Sequence, residues 1–279
     1  MKKLINKAVP KTIGALLNAS SLVSSKYAAA KALSLFATPR KGDINKKQAS
    51  FLNSAKKEQL SYQDYSIMTY QWVGENKTVL LSHGWESNTS RWKTLIELLR
   101  EQNYNVIALD APAHGDSESK SFNAILYSEF INIVCQRFNP EIIIGHSVGG
   151  MASVVFQHKY QSTFLKKLVL LGAPSEFKTI LKNYTDMLSY NSKVIKSLDK
   201  LIEDSFGAPP SAFSTANYCK SIDIEGLIIH DKKDRIIPFS DAELIHNNFK
   251  NSKLIATTGF GHSLNHKSVS KNVLDFIKG

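Results

Sequence analysis

The stretch Gly145-His146-Ser147-Val148-Gly149-Gly150 decides how this chain is read. The run Ile142-Ile143-Ile144 before it is apolar and β-branched, as a buried strand requires, and Met151 to Tyr160 after it is helical in character. Strand, then G-x-S-x-G, then helix is the setting of a nucleophile elbow, a tight turn that lifts a serine oxygen off the edge of a sheet. The glycines leave room where a larger side chain would meet the neighbouring strand and helix.

Outward from the elbow, the chain alternates strand-like and helix-like segments from about residue 64. Strands are expected at Tyr65 to Trp72, Thr78 to Leu81, Val106 to Leu109, Lys167 to Leu171, Leu227 to Ile229 and Lys253 to Thr257. Helices are expected at Arg91 to Gln102, Asn123 to Phe138, Asp241 to Phe249 and Asn265 to Ile277. Such alternation argues for a mostly parallel sheet flanked by helices. It breaks between Pro174 and about Asp223, a stretch rich in helix formers and aromatics. That interval reads as a helical cap over the carboxyl edge of the sheet, where open α/β sheets bind ligands.

Four further segments fall just after predicted strands. They are Ser82-His83-Gly84-Trp85, Asp110-Ala111-Pro112-Ala113-His114-Gly115-Asp116-Ser117, His230-Asp231-Lys232-Lys233-Asp234-Arg235-Ile236-Ile237-Pro238 and Gly259-Phe260-Gly261-His262-Ser263. With the elbow, they resemble the α/β-hydrolase superfamily over about residues 64 to 279, in its esterase- and lipase-like form with a short helical cap. The order Ser147, Asp234, His262 is that family's order of nucleophile, acid and base. The resemblance implies that His262 takes the Ser147 proton and that Asp234 holds the imidazole tautomer. It also implies an oxyanion hole made of the Trp85 and Val148 backbone N–H groups. It implies no metal site and no organic cofactor.

Two positions depart from the family pattern: Asp231 and Ala113 stand where glycine is common. Asp231 leaves two carboxylates three residues apart on one loop, and spacing before Pro238 favours Asp234 as the acid. His83 and His114 read as loop-stabilising residues, His146 as packing beside the nucleophile, and His266 as a surface or capping residue. His158, His230 and His246 lack a catalytic context. Trp85 and Trp92 read as packing residues, with Trp85 also able to line an acyl pocket. Phe177, Met187 and Phe213, with Tyr184, Tyr190, Phe206 and Tyr218, either line an apolar substrate pocket or form the cap's own small core. Glu86 and Arg91 could pair with each other or with the N-terminal segment.

The net charge of +11 is concentrated at one end: residues 1–60 carry twelve basic residues against Asp43 and Glu58, and the remainder is nearly balanced. The body therefore gives no sign of a nucleic-acid-binding face. Residues 1–60 are expected to form a basic amphipathic extension before a core of residues 61–173 and 224–279, with residues 174–223 as the cap. On a helical wheel of residues 3–36, Ile5, Val9, Ile13, Leu16, Val23 and Tyr27 share one side, and Lys3, Lys7 and Lys11 recur on another. This segment packs on the body, lies on an anionic membrane surface through residues 1–36, or serves as a non-canonical export signal. Lys7, Pro10, Lys11 and Asn18 interrupt the apolar core that a secretory signal needs.

Two cysteines without a metal-binding spacing are compatible with a reducing, cytoplasmic setting. The expected activity is cleavage of a small carboxylic ester or thioester through an acyl-enzyme. The alternatives are amide or peptide cleavage, or a ligand receptor that keeps the triad without using it.

Overall fold

Eight strands pair into one sheet in the order β1-β2-β4-β3-β5-β6-β7-β8. The computed structural model describes residues 2–279, with side chains from Val9 onward. The strands are β1 (Lys56–Tyr62), β2 (Tyr65–Trp72), β3 (Asn76–Ser82), β4 (Tyr104–Leu109), β5 (Ile142–His146), β6 (Lys167–Leu171), β7 (Glu225–Asp231) and β8 (Ser252–Thr257). β2 runs antiparallel to both β1 and β4, and every later pairing is parallel. β5 and β6 are buried along their whole length, as strands covered on both faces must be. This is the α/β-hydrolase fold.

Helices α1 (Lys2–Ser20), α2 (Ser25–Ala37), α3 (Lys46–Leu52), α4 (Lys93–Glu101), α5 (Ala124–Phe138), α6 (Val148–Tyr160), α7 (Phe177–Leu188), α8 (Ser192–Phe206), α9 (Thr215–Cys219), α10 (Phe239–Asn248) and α11 (Lys267–Lys278) complete the described chain. Two separate apolar clusters lie in the sheet unit, one around Leu80, Ile107, Phe130, Ile143 and Phe156, the other around Tyr70, Val79, Leu81, Ile144 and Ile229. Alternate residues of β3 contribute to different clusters, because successive side chains on a strand point to opposite faces.

The chain divides into two compact units: Pro39–Ser175 with Thr215–Gly279, and Met1–Thr38 with Glu176–Ser214. The expected boundary at residue 60 therefore falls too late. Leu52 on α3 is fully buried in the cluster that holds Trp72, and β1 pairs with β2 along seven residues. Basic character hid this strand, since its exposed lysines, Lys56 and Lys57, occupy an edge where charge is tolerated. The helical insertion is also shorter than the expected 174–223, because α9 belongs to the sheet unit.

In the helical unit, α1 and α2 pack with α7 and α8. Ala28, Ala29 and Ala32 are buried against Leu181, Leu188, Val194, Leu198 and Ile202. A Cβ at Gly14 would overlap the Leu188 carbonyl, so α1 approaches the end of α7 at backbone distance. The N-terminal segment thus shares a core with the insertion. Of the residues placed on the apolar side of the wheel, Ile13 packs inward, whereas Val9, Leu16, Val23 and Tyr27 are exposed. The physical reason is a break in the helix: α1 ends at Ser20, and Ser24 caps α2 by accepting from the Tyr27 N–H. One continuous wheel cannot phase both helices, and small alanines form the buried stripe. The side chains of Ile5, Lys3 and Lys7 lie outside the described residues.

Candidate active site

Ser147 sits between the end of β5 and the first turn of α6 with φ 53° and ψ −126°, a left-handed region that a serine enters only under constraint. The constraint comes from close approach on both sides of the turn. A Cβ at Gly149 would overlap the carbonyl oxygens of Ser82 and His83, and one at Gly145 would overlap the Gly150 backbone. The Ser147 N–H donates to the Leu171 carbonyl at 2.9 Å, which fixes the turn to the neighbouring strand.

His262, on the loop after β8, lies with Nε2 3.0 Å from Ser147 Oγ and Nδ1 2.7 Å from Asp234 Oδ2. An ionised carboxylate only accepts, so Nδ1 carries the proton and Nε2 presents a bare lone pair to the serine hydroxyl. The Asp234 side chain is fully buried, yet its carboxyl is held well below the usual carboxylate range. Burial alone would raise it; hydrogen bonds from His230, His262 and the N–H groups of Ile236 and Ile237 outweigh that effect.

Asp231 serves a different set of partners. Its Oδ2 accepts from Thr257 Oγ1 at 2.9 Å and from the Phe260 N–H at 2.8 Å, and its Oδ1 accepts from the Lys233 N–H at 2.9 Å. It joins the loop of Asp234 to the loop that carries His262. Where the family often has glycine, this carboxylate acts as a buried tie between the two loops.

His230 is a residue that spacing alone missed. It is fully buried, its Nε2 lies 3.4 Å from Asp234 Oδ2, and the same nitrogen donates to the Ile237 carbonyl at 3.0 Å. The readable signal was its position four residues before the acid, at the end of a strand. His146 also does more than pack beside the nucleophile. Its Nε2 donates to the His262 carbonyl at 2.8 Å, while Arg91 Nη2 donates to the next carbonyl, Ser263, at 3.0 Å. Two donors from different elements therefore fix the loop that bears His262. Burial holds the His146 ring well below the usual histidine pKa, so it is neutral.

The loop after β3 is built on two further neutral histidines. His83 accepts from the Ala111 N–H at 2.9 Å and donates from Nδ1 to the Gly84 carbonyl, and burial pushes its pKa down to about 3. His114 donates from Nδ1 to the Pro112 carbonyl and accepts from the Glu86 N–H at 3.0 Å. The Trp85 indole packs edge-on against His114 and Phe122. A Cβ at Gly84 would lie 2.9 Å from Ser147 Cβ, so the Gly84–Trp85 backbone runs directly against the nucleophile position. Val148 opens α6, where first-turn N–H groups lack intrahelical partners. Glu86 pairs with Arg40 at 3.7 Å, and Arg91 is occupied with Ser263.

The residues expected to line a substrate pocket separate into two kinds. Phe177 and Phe213 meet edge to face at 6.1 Å and join the core of the helical unit with Tyr184 and Tyr190. Met187 is half exposed on α7 and is not among the residues of that cluster. Tyr218 stacks on His158 in the sheet unit, and His266 caps α11 through Ser268.

Comparison with known proteins bears on the fold. A family model described as the alpha/beta hydrolase fold matches residues 77–194. A candidate esterase/lipase of Mycoplasma genitalium is 24% identical over 160 residues, which is 50% of this chain and 59% of that protein. Among solved structures, a candidate lipase from Acinetobacter baumannii superposes with a TM-score of 0.63 at 21% identity, covering 83% of this chain and 92% of that one. The thioesterase domain from the curacin biosynthetic pathway gives a TM-score of 0.60 at 18% identity over 81% and 99% of the two chains. By strand order, elbow and family-model match, the chain has the α/β-hydrolase fold.

Proposed function

We propose that the protein is a serine hydrolase that cleaves a carboxylic ester or thioester through an acyl-enzyme. The observation that carries this reading is the chain of contacts from Asp234 through His262 to a serine held at positive φ. A neutral hydroxyl is a poor nucleophile until a base removes its proton, and His262 Nε2 is within reach to do so. Ser147 Oγ attacks the carbonyl carbon, and its proton passes to His262. The oxyanion that forms accepts from the Trp85 and Val148 N–H groups, each worth about 3 kcal/mol in comparable sites. Collapse expels the alcohol or thiol, which takes the proton back from His262. Water, deprotonated by the same nitrogen, then attacks the acyl group and frees the serine. Asp234 stabilises the imidazolium in both halves.

Relatives named as esterase/lipase, lipase and thioesterase support the ester and thioester classes. The test is a fluorophosphonate probe together with p-nitrophenyl ester and acyl-CoA series. Wild type should be labelled at Ser147 and turn over at least one of the two series. Ser147→Ala should lose labelling and at least about 10⁴-fold in kcat. An unlabelled wild type, indistinguishable from the variant, would remove the enzyme reading.

A further inference from the structure

The turn between α1 and α2 has its polarity inverted relative to an ordinary helical hairpin in water. Two of its polar side chains, Asn18 and Ser21, face inward. Asn18 accepts from the Asn191 N–H at 2.8 Å and donates to the Ser189 carbonyl at 2.9 Å, and Ser21 accepts from Asn191 Nδ2 at 3.2 Å. Its apolar side chains face outward: Leu22 is 72% exposed and Val23 is 94% exposed. Val9 and Leu16, seven residues apart and so on one side of α1, are exposed at 51% and 66%, and Tyr27 opens α2 at 55%. Single exposed apolar residues need no explanation, but an outward group of this size on one hairpin does.

The charge of the same segment says what covers it. Residues 1–38 contain six lysines and no aspartate, glutamate or arginine. Of these, Lys11, Lys26 and Lys31 are on described side chains and all are exposed. The other half of the helical unit, residues 176–214, has equal numbers of acidic and basic residues, so the cationic character belongs to the hairpin. Outward apolar side chains among lysines are what a surface of anionic lipid headgroups over acyl chains complements. No helix among the described residues is long and apolar enough to cross a membrane.

We propose that the α1–α2 hairpin is a docking surface for an anionic lipid bilayer, with Leu22 and Val23 entering the interface and the lysines meeting the headgroups. The hydrogen bonds of Asn18, Ser21 and Asn191 hold the turn in shape before it meets lipid, which spares the ordering cost of a flexible segment. A hydrolase with such a surface is concentrated where lipid esters reside.

The experiment is vesicle co-sedimentation with the full chain, using equal parts phosphatidylglycerol and phosphatidylcholine against phosphatidylcholine alone. Wild type should sediment with the anionic vesicles and largely remain in solution with the neutral ones. Leu22→Ser/Val23→Ser should lower the partition coefficient about tenfold, and Lys11→Gln/Lys26→Gln/Lys31→Gln should lower it to a similar degree. Unchanged far-UV circular dichroism and thermal midpoint will show that both variants fold. As a readout independent of the substitutions' cost, Val23→Cys labelled with an environment-sensitive dye should brighten and shift to the blue on anionic vesicles. The native thiols, Cys135 and Cys219, are buried and will not compete. Failure of wild type to bind, equal binding by Leu22→Ser/Val23→Ser, or a lipid-free dimer that this variant dissociates would overturn the proposal.

Discussion

The loops at the carboxyl ends of the strands and the helical unit solve opposite problems. In the loops, the side chains of Asp110, Asp231, Asp234 and His262 are each held by named hydrogen bonds, and glycine is required where backbones touch. The helical unit is held by alanines and aliphatic side chains, and apolar surface is left outside. Where a site must hold a proton at a given atom, residue identity is fixed one position at a time. Where only burial is needed, several phasings of the same helix serve.

The sharpest way to break this contrast lies inside the loops, between two carboxylates three residues apart. Asp234→Asn should reduce kcat by about 10⁴-fold, because an amide can offer a donor to His262 Nδ1 and so stabilise the wrong tautomer. Asp231→Asn should stay within about tenfold of wild type while lowering the thermal midpoint. An asparagine oxygen still accepts from the Phe260 or Lys233 N–H, but its NH₂ replaces one acceptor with a donor. Steady-state kinetics beside thermal melts will decide. The reverse ranking would reassign the acid.

The same contrast explains what was legible before any coordinates. The segments that carry Ser147, Asp234 and His262 follow strands in an order that stands out in the sequence, and the structure brings the three within hydrogen-bonding distance. His230 and the His146 contact do not stand out, because a position near the Asp234 or Ser147 segment does not say what a histidine ring bonds. β1 was absorbed into the basic extension because edge strands tolerate lysine. The helical wheel fails at Val9, Leu16, Val23 and Tyr27 because tertiary packing of Ala28, Ala29 and Ala32 outweighs the hydrophobicity of larger neighbours.

A second test addresses the loops as a whole through pH. The folded His83 has a pKa of about 3 against an ordinary 6.5. Below pH 6.5 the unfolded chain gains a proton that the folded chain refuses, so stability is intact above that value and falls as pH drops toward 3. At pH 5 this costs about 2 kcal/mol for His83. His114 and His146 are shifted in the same direction by burial. Asp234 adds nothing in this window, since its depressed pKa matters only below the ordinary carboxylate range. Urea midpoints should therefore be lower at pH 5 than at pH 7. Equal midpoints would mean that these rings are solvated.

The helical unit gives the smallest effects, and their pattern distinguishes a packed core from an outward surface. Ala29→Leu adds three carbons where α2 meets its neighbours with almost no exposed area, and overpacking of this kind costs about 1–3 kcal/mol. Val23→Ser removes two methyls that make little buried contact, so stability should change by less than about 0.5 kcal/mol. Calorimetry on the two variants compares a residue of small size and full burial with one of larger size and almost none. If Val23→Ser proved the more destabilising, the outward face of the hairpin would be covered in solution, and its hydrophobicity would belong to the fold. If Ala29→Leu dominates, as expected, the exposed Val23 contributes little to folding, and the outward placement of the hairpin's exposed apolar residues calls for a partner.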